Sequence, residues 1–259
     1  MGSTMKNFNY RRQRVSDPAE MYDATDIFHP HADQRFALGT ILDFDDGRRF
    51  RYAEDDGTGI AKALMTQAAA IDSNWIDIAQ TAAGVVGDMQ VTINSALSTA
   101  LTANILDDGW LWTNDEAGEG DCYKIKTHTT GTTPTIYLAD KSGLRTALTA
   151  STSEISMIKN QWKDVLVRPA ADGTNRPTGV TLVAVTAGYF FWAQTRGPCA
   201  MLVDAGDTLV AGDMGCEPAT GGTAGSVGTG EDDHTIVRYG YVLDVSAGGE
   251  YALIDLCLE

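Results

Sequence analysis

The run Gly188-Tyr189-Phe190-Phe191-Trp192-Ala193-Gln194-Thr195-Arg196-Gly197-Pro198-Cys199-Ala200-Met201-Leu202-Val203 decides the fold class of this chain. Tyr189 to Trp192 is an unbroken aromatic stretch, a composition that belongs to strands. Arg196-Gly197-Pro198 reads as a turn, with Cys199 to Val203 as the strand that leaves it. Upstream, Val180 to Thr186 is apolar on both faces, as a central strand is. Downstream, Ile236 to Val245 and Tyr251 to Leu258 read as a hairpin around Ala247-Gly248-Gly249. Between them, Gly221 to Asp233 is a Gly-rich acidic stretch that reads as an exposed tip.

The same signals extend toward the N-terminus. The chain holds 27 Gly but only 7 Pro, which suits many short strands joined by tight turns. Phe36 to Phe44 and Arg48 to Tyr52 flank Asp45-Asp46-Gly47 as a hairpin, with Phe50 and Tyr52 on one face and Arg49 and Arg51 on the other. Met89, Val91 and Ile93 alternate with polar residues as a half-buried strand. A β-meander follows through Trp110 to Thr113, Cys122 to Lys126 and Thr135 to Leu138. Short strands are predicted at 155–158 and 164–168. Ile60, Leu64, Ala68 and Ile71 share one face at helical spacing, so a helix is predicted there, and Leu144 to Leu148 is a second helical turn. The expected fold is mainly β: a β-sandwich or barrel-like body with an extended N-terminal arm and one or two short helices. Its predicted divisions are an arm (1–34), a β-rich domain with short helices (35–169) and a second β domain (170–259), separated by the polar stretch Ala170 to Gly179.

The formal net charge is −16, from 19 basic and 35 acidic residues, which repels nucleic-acid phosphates and argues against non-specific nucleic-acid binding; no sequence-specific nucleic-acid partner is expected either. No signal peptide and no apolar run of about 18 residues is present, so membrane insertion is not expected and synthesis in a cytoplasm is. Cys122, Cys199, Cys216 and Cys257 form no C-x-x-C pair and read as reduced, mostly buried thiols.

Motifs of chemistry are weak. Gly225-Ser226-Val227-Gly228 lacks the spacing of a nucleophile elbow, and Gly221 to Gly225 lacks the lysine of a phosphate loop. His29 and His31 are too few for zinc. Asn114, Asp115, Glu116, Glu119 and Asp121 carry oxygen ligands without the spacing of an EF-hand, and read as a solvated acidic turn, as do Asp43, Asp45, Asp46, Asp55 and Asp56. No catalytic residue, cofactor or metal is therefore assigned, and an enzyme is not expected.

From Gly87 onward, and most closely from Arg168 to Glu259, the chain resembles the capsid decoration (cement) proteins of tailed bacteriophages. The resemblance rests on three runs: Ala187 to Pro198, the Asp204-Ala205-Gly206-Asp207 turn, and Val237-Arg238-Tyr239-Gly240-Tyr241-Val242-Leu243. Asp108-Gly109-Trp110-Leu111 and Gly118-Glu119-Gly120 add to it upstream. The family implies a virion structural protein on the outer capsid surface, a homotrimer whose partner is the major capsid protein. On that reading the expected capsid or subunit contacts are Arg11, Arg12 and Arg14 of the basic arm, Arg49 and Arg51 of the hairpin, and Tyr189, Phe191 and Trp192. The alternative is a tail or fibre β-module that binds a surface glycan through its aromatic residues.

Overall fold

The computed structural model describes residues 26–79, 82–94, 97–170, 173, 175–218, 222–229 and 237–259, with the backbone alone of Gln13–Val15. The strands in chain order are β1 (Gln13–Val15), β2 (Ile41–Phe44), β3 (Arg49–Glu54), β4 (Met65–Gln67), β5 (Ile78–Ala79) and β6 (Gln90–Thr92). Next come β7 (Trp110–Asp115), β8 (Cys122–His128), β9 (Thr135–Leu138), β10 (Glu154–Ile158) and β11 (Leu166–Val167). The last are β12 (Pro177–Thr181), β13 (Phe190–Leu202), β14 (Met214–Cys216), β15 (Arg238–Asp244) and β16 (Tyr251–Cys257). The protein is mainly β, built on two curled sheets that form half-barrels.

The chain divides into two compact units, residues 1–69 with 161–259, and residues 70–160. The boundary predicted near 170 is replaced by this division because β3 pairs with β13 across the whole intervening sequence, from Phe190 opposite Glu54 to Arg196 opposite Arg49. The first unit carries one sheet in the order β1-β2-β3-β13-β12-β4-β11, with β16, β15 and β14 branching from β13. β4 and β11, the strands that flank the insertion, pair directly with Leu166 opposite Gln67. The second unit orders its strands β5-β10-β7-β8-β9-β6.

The predicted hairpin forms as β2 and β3, with Leu42 opposite Phe50 and with Phe50 and Tyr52 fully buried. The meander forms as β7, β8 and β9. Leu111, Tyr123, Ile125 and Ile136 face its core by the simple alternation of strand side chains. The C-terminal hairpin forms as β15 and β16. Gly240 is required there, since a Cβ at that position would lie 2.0 Å from the carbonyl oxygen of Asp255.

Five expectations are overturned. No chain reversal forms at Arg196-Gly197-Pro198: β13 continues through it, bent at a register shift and a left-handed Gly197 with φ of 83°. No α-helix forms over 60–71. Ile60 instead pairs with Val185, Ala63 takes a left-handed φ of 61°, and Met65–Gln67 joins the sheet, so tertiary strand pairing overrides the helical spacing. Leu144 and Leu148 are held in backbone pairings to Asp88 and Gly84, and the helical segment among the described residues is a 3-10 turn at Ser73–Trp75. The predicted arm is packed from Asp26 onward: Ile27 is 3 % exposed and His31 exchanges backbone hydrogen bonds with Phe190. Gly225 to Gly228, predicted as part of an exposed tip, are likewise buried, with Val227 bridged to Val203.

A buried ion pair fastens the first unit. Arg168 is fully buried; its Nε donates to Glu217 Oε2 at 2.6 Å, and its Nη1 donates to the Asn175 carbonyl at 2.6 Å. Removing one partner of such a pair strands the other charge in the core. Arg168→Met is expected to cost about 3–5 kcal/mol in urea unfolding, and adding Glu217→Gln should recover part of that loss. Asp204 supplies a second fastening. Burial raises its pKa, but amide hydrogen bonds from Thr223 and Gly206 outweigh this and hold the carboxyl below its ordinary 3.8. Its stabilisation is therefore complete above that value and declines as pH falls below it. Asp204→Asn should flatten the acid limb of stability against pH, and an unchanged limb would exclude this role.

Candidate functional site

The predicted basic face of the first hairpin is neutralised within the molecule. Arg51 donates to both oxygens of Glu259, from Nε at 2.7 Å and Nη2 at 2.5 Å, and its guanidinium lies 4.7 Å from the Trp162 ring centroid. Arg49 donates from Nε to Asp43 Oδ1 at 2.8 Å, and this hydrogen bond raises the arginine pKa further. Both arginines are half-buried and satisfied, so neither is presented as an open charge. Arg11, Arg12 and the Arg14 side chain lie outside the described residues; the backbone of β1 runs parallel to β2.

The aromatic run is mainly core. Phe191 and Trp192 are 3 % and 2 % exposed, which removes them from a surface contact. Trp192 meets Tyr52 edge-on at 5.0 Å, and Phe190 stacks on Tyr52 at 6.0 Å. Burial pushes the Tyr52 phenol up to about 12. Tyr189 is half-buried and accepts the Asp55 N–H on its carbonyl. Asp55 and Asp43, predicted as solvated acids, are 2 % and 8 % exposed. Asp55 Oδ2 accepts the N–H groups of Gly57, Gly59 and Gly188, which ties the turn that launches β13 to the end of β3.

The surface that sequence reasoning missed lies on the far half of the same sheet. Where β13, β16 and β15 lie side by side, Leu202 is opposite Tyr251, Ala200 opposite Leu253, and Pro198 opposite Asp255, which is in turn opposite Tyr241. The alternate residues Met201, Ile254 and Val242 fill the core. The outward set is also apolar: Tyr241 is 49 % exposed, Leu243 47 %, Tyr251 47 % and Leu253 40 %. An antiparallel sheet open to water on one side ordinarily carries polar residues there. The signal was present in the sequence, since Tyr251 to Leu256 is apolar at both alternations except Asp255.

The second unit offers a smaller aromatic face. Trp110 is 42 % and Tyr137 37 % exposed; Trp112 is half-buried on the same side of β7, and Lys124 Nζ lies 5.3 Å from the Trp110 ring centroid. A groove of about 290 Å³ lies beside β6, lined by Ala82, Ala83, Gly84, Met89, Gln90 and Leu148 among others. Asp121, in the acidic loop, is hydrogen-bonded by Arg145 Nε and Tyr123 Oη at 3.0 Å each. Among the described residues no three His, Cys, Asp or Glu side chains converge on a metal position.

All four cysteines are free; Cys199 and Cys216 are buried, and Cys122 and Cys257 are exposed. Burial raises the Cys199 thiol to about 12, which leaves almost no thiolate at neutral pH. In dilute native protein a thiol reagent should therefore label Cys122 and Cys257 quickly and the other two only on unfolding; rapid labelling of Cys199 would contradict this arrangement. No family model, no curated protein and no solved structure matches the chain.

Proposed function

We propose that this chain is a virion structural protein that binds the outer surface of a phage capsid and stabilises it, a decoration or cement protein. The observation that carries this reading is the two-sided apolar character of β13, β16 and β15 in a chain of net charge −16. A contiguous exposed apolar patch of this kind is often functional. The order of turns and strands from Arg168 to Glu259, which resembles decoration proteins, adds to it. On this reading the partner is the major capsid protein, and the protein acts by bridging neighbouring shell subunits. Bridging needs rigidity and several simultaneous contacts, because linked weak contacts raise effective concentration. The long central strand β13, joined to three other strands, supplies the rigid part.

A second reading rests on Trp110, Tyr137 and Trp112, which present aromatic faces of the kind that stack on sugar rings. On that reading the protein is a tail or fibre module that binds a surface glycan.

Mixing the purified chain with undecorated heads and sedimenting them tests the first reading. Saturable co-sedimentation, with heads that withstand higher temperature, is the expected result. If the heads neither bind the chain nor gain stability, the decoration reading falls. Glycan binding that Trp110→Ala abolishes would then establish the second.

A further inference from the structure

The outer face of the second unit's sheet differs in charge from the rest of the chain. Trp110 lies opposite Lys124 and Trp112 opposite Cys122, so these four side chains leave β7 and β8 on one side. The alternate residues Leu111, Tyr123 and Ile125 fill the core. On β9, Tyr137 projects to the same outer side, and its direct partner there is Gln90 of β6. Residues 110–114 and 122–127, with Thr135–Leu138 and Gln90–Thr92, hold two cations, Lys124 and Lys126, and no anion. In a chain of 35 acids against 19 bases, that is a local reversal of sign.

The aromatic residues are spaced along this face. At the usual strand rise Trp110 and Trp112 stand about 7 Å apart, and two strand spacings put Tyr137 roughly 10 Å across the sheet from their row. These are separations on the scale of nearby rings in a chain of pyranoses, whose C–H faces stack on aromatic rings. Gln90 is exposed beside Tyr137, where its amide can meet ring hydroxyls, and it also lines the groove along β6.

The two lysines differ. Lys124 lies over the Trp110 ring; burial lowers its pKa, while the charges of Asp108 and Asp140 act the other way. Lys126 sits at the bulge between Ile125 and Thr127, is exposed, and has no ion pair among the described residues. Arg49, Arg51, Arg145 and Lys163, by contrast, are each engaged by a carboxylate of their own chain.

We propose that this face binds an acidic glycan, with pyranose rings on Trp110 and Tyr137 and a ring carboxylate at Lys126. The inference rests on the glycan reading of these aromatic residues and names the class of sugar. Charge selects the class. A neutral sugar draws nothing from Lys126, whereas a carboxylate meets there a cation that no acid of the protein already holds. Over the rest of the surface the net charge of −16 turns such a ligand away. Single-stranded nucleic acid also stacks on aromatic side chains, but a positively charged groove must track its backbone. Two lysines on one strand do not make such a groove.

Calorimetric titration of the full chain with oligogalacturonate and oligosialate tests this, with a neutral cello-oligosaccharide and oligothymidylate alongside. An acidic oligosaccharide should bind more tightly than the neutral one, and its affinity should fall as salt rises. Lys126→Glu should weaken the acidic sugar at least about threefold and leave the neutral one unchanged. Trp110→Ala should weaken every sugar at least about fivefold. Both side chains reach water, and a thermal melt of each variant checks that the fold is retained. Neutral sugar bound as well as acidic, or acidic binding indifferent to Lys126→Glu, overturns this inference and leaves the glycan reading standing. Sugar binding that survives Trp110→Ala overturns its placement on this face. Binding of oligothymidylate alone, or of no probe, overturns both the inference and the glycan reading.

Discussion

A strand that changes neighbours partway along leaves main-chain carbonyls without a ladder, and the first unit depends on how β13 meets that problem. Its first half is flanked by β3 and β12; beyond Arg196 it has lost β3 and is paired with β16. At the crossover the side chain of Gln194, 1 % exposed, places its Nε2 within 3.0, 3.1 and 2.9 Å of the carbonyl oxygens of Arg196, Gly197 and Pro198. A buried carbonyl without a donor is costly, and the two N–H bonds of this one amide are shared among the three. Pro198, which has no N–H to give, falls where β13 has an open side, the setting in which a strand accepts proline.

The two halves of β13 consequently have different surroundings. Near its start, Phe190, Phe191 and Trp192 are buried within the molecule's own clusters. Beyond the bend, one side of the strand still faces the core through Cys199 and Met201, while the other faces water through Pro198 and Ala200. The aromatic character noticed in the sequence therefore serves folding, and the exposed apolar face belongs to the strands that pair with the second half.

Turn chemistry made most of the β architecture legible. Asp45-Asp46-Gly47 and Ala247-Gly248-Gly249 marked their hairpins because local residues fix those bends. Arg196-Gly197-Pro198 misled for the same reason: it has the composition of a turn, and pairing with the distant β16, helped by the nearby Gln194 amide, keeps it within one strand. The stretch from Ile60 to Ile71 misled through periodicity, since four apolar residues at helical spacing were in fact placed by strand partners distant in sequence. Arg49 and Arg51 were assigned to the correct face, yet the carboxylate that satisfies Arg51 comes from Glu259, which spacing along the chain does not reveal. The apolar face of the last hairpin was readable in the alternation of Tyr251 to Leu256; the pattern of a strand with two apolar sides was read there as ordinary closure of the fold.

The direct pairing of β4 with β11 has a consequence for the chain's construction. The polypeptide departs after Gln67 and returns before Leu166 on neighbouring antiparallel strands, so residues 70–160 occupy the place of a hairpin loop. Such a position tolerates exchange, because the ends of whatever fills it are already brought together by the host sheet. The second unit is thus a cassette: a short turn could stand in its place, or a different small domain, while the ladder from β1 to β16 keeps its register.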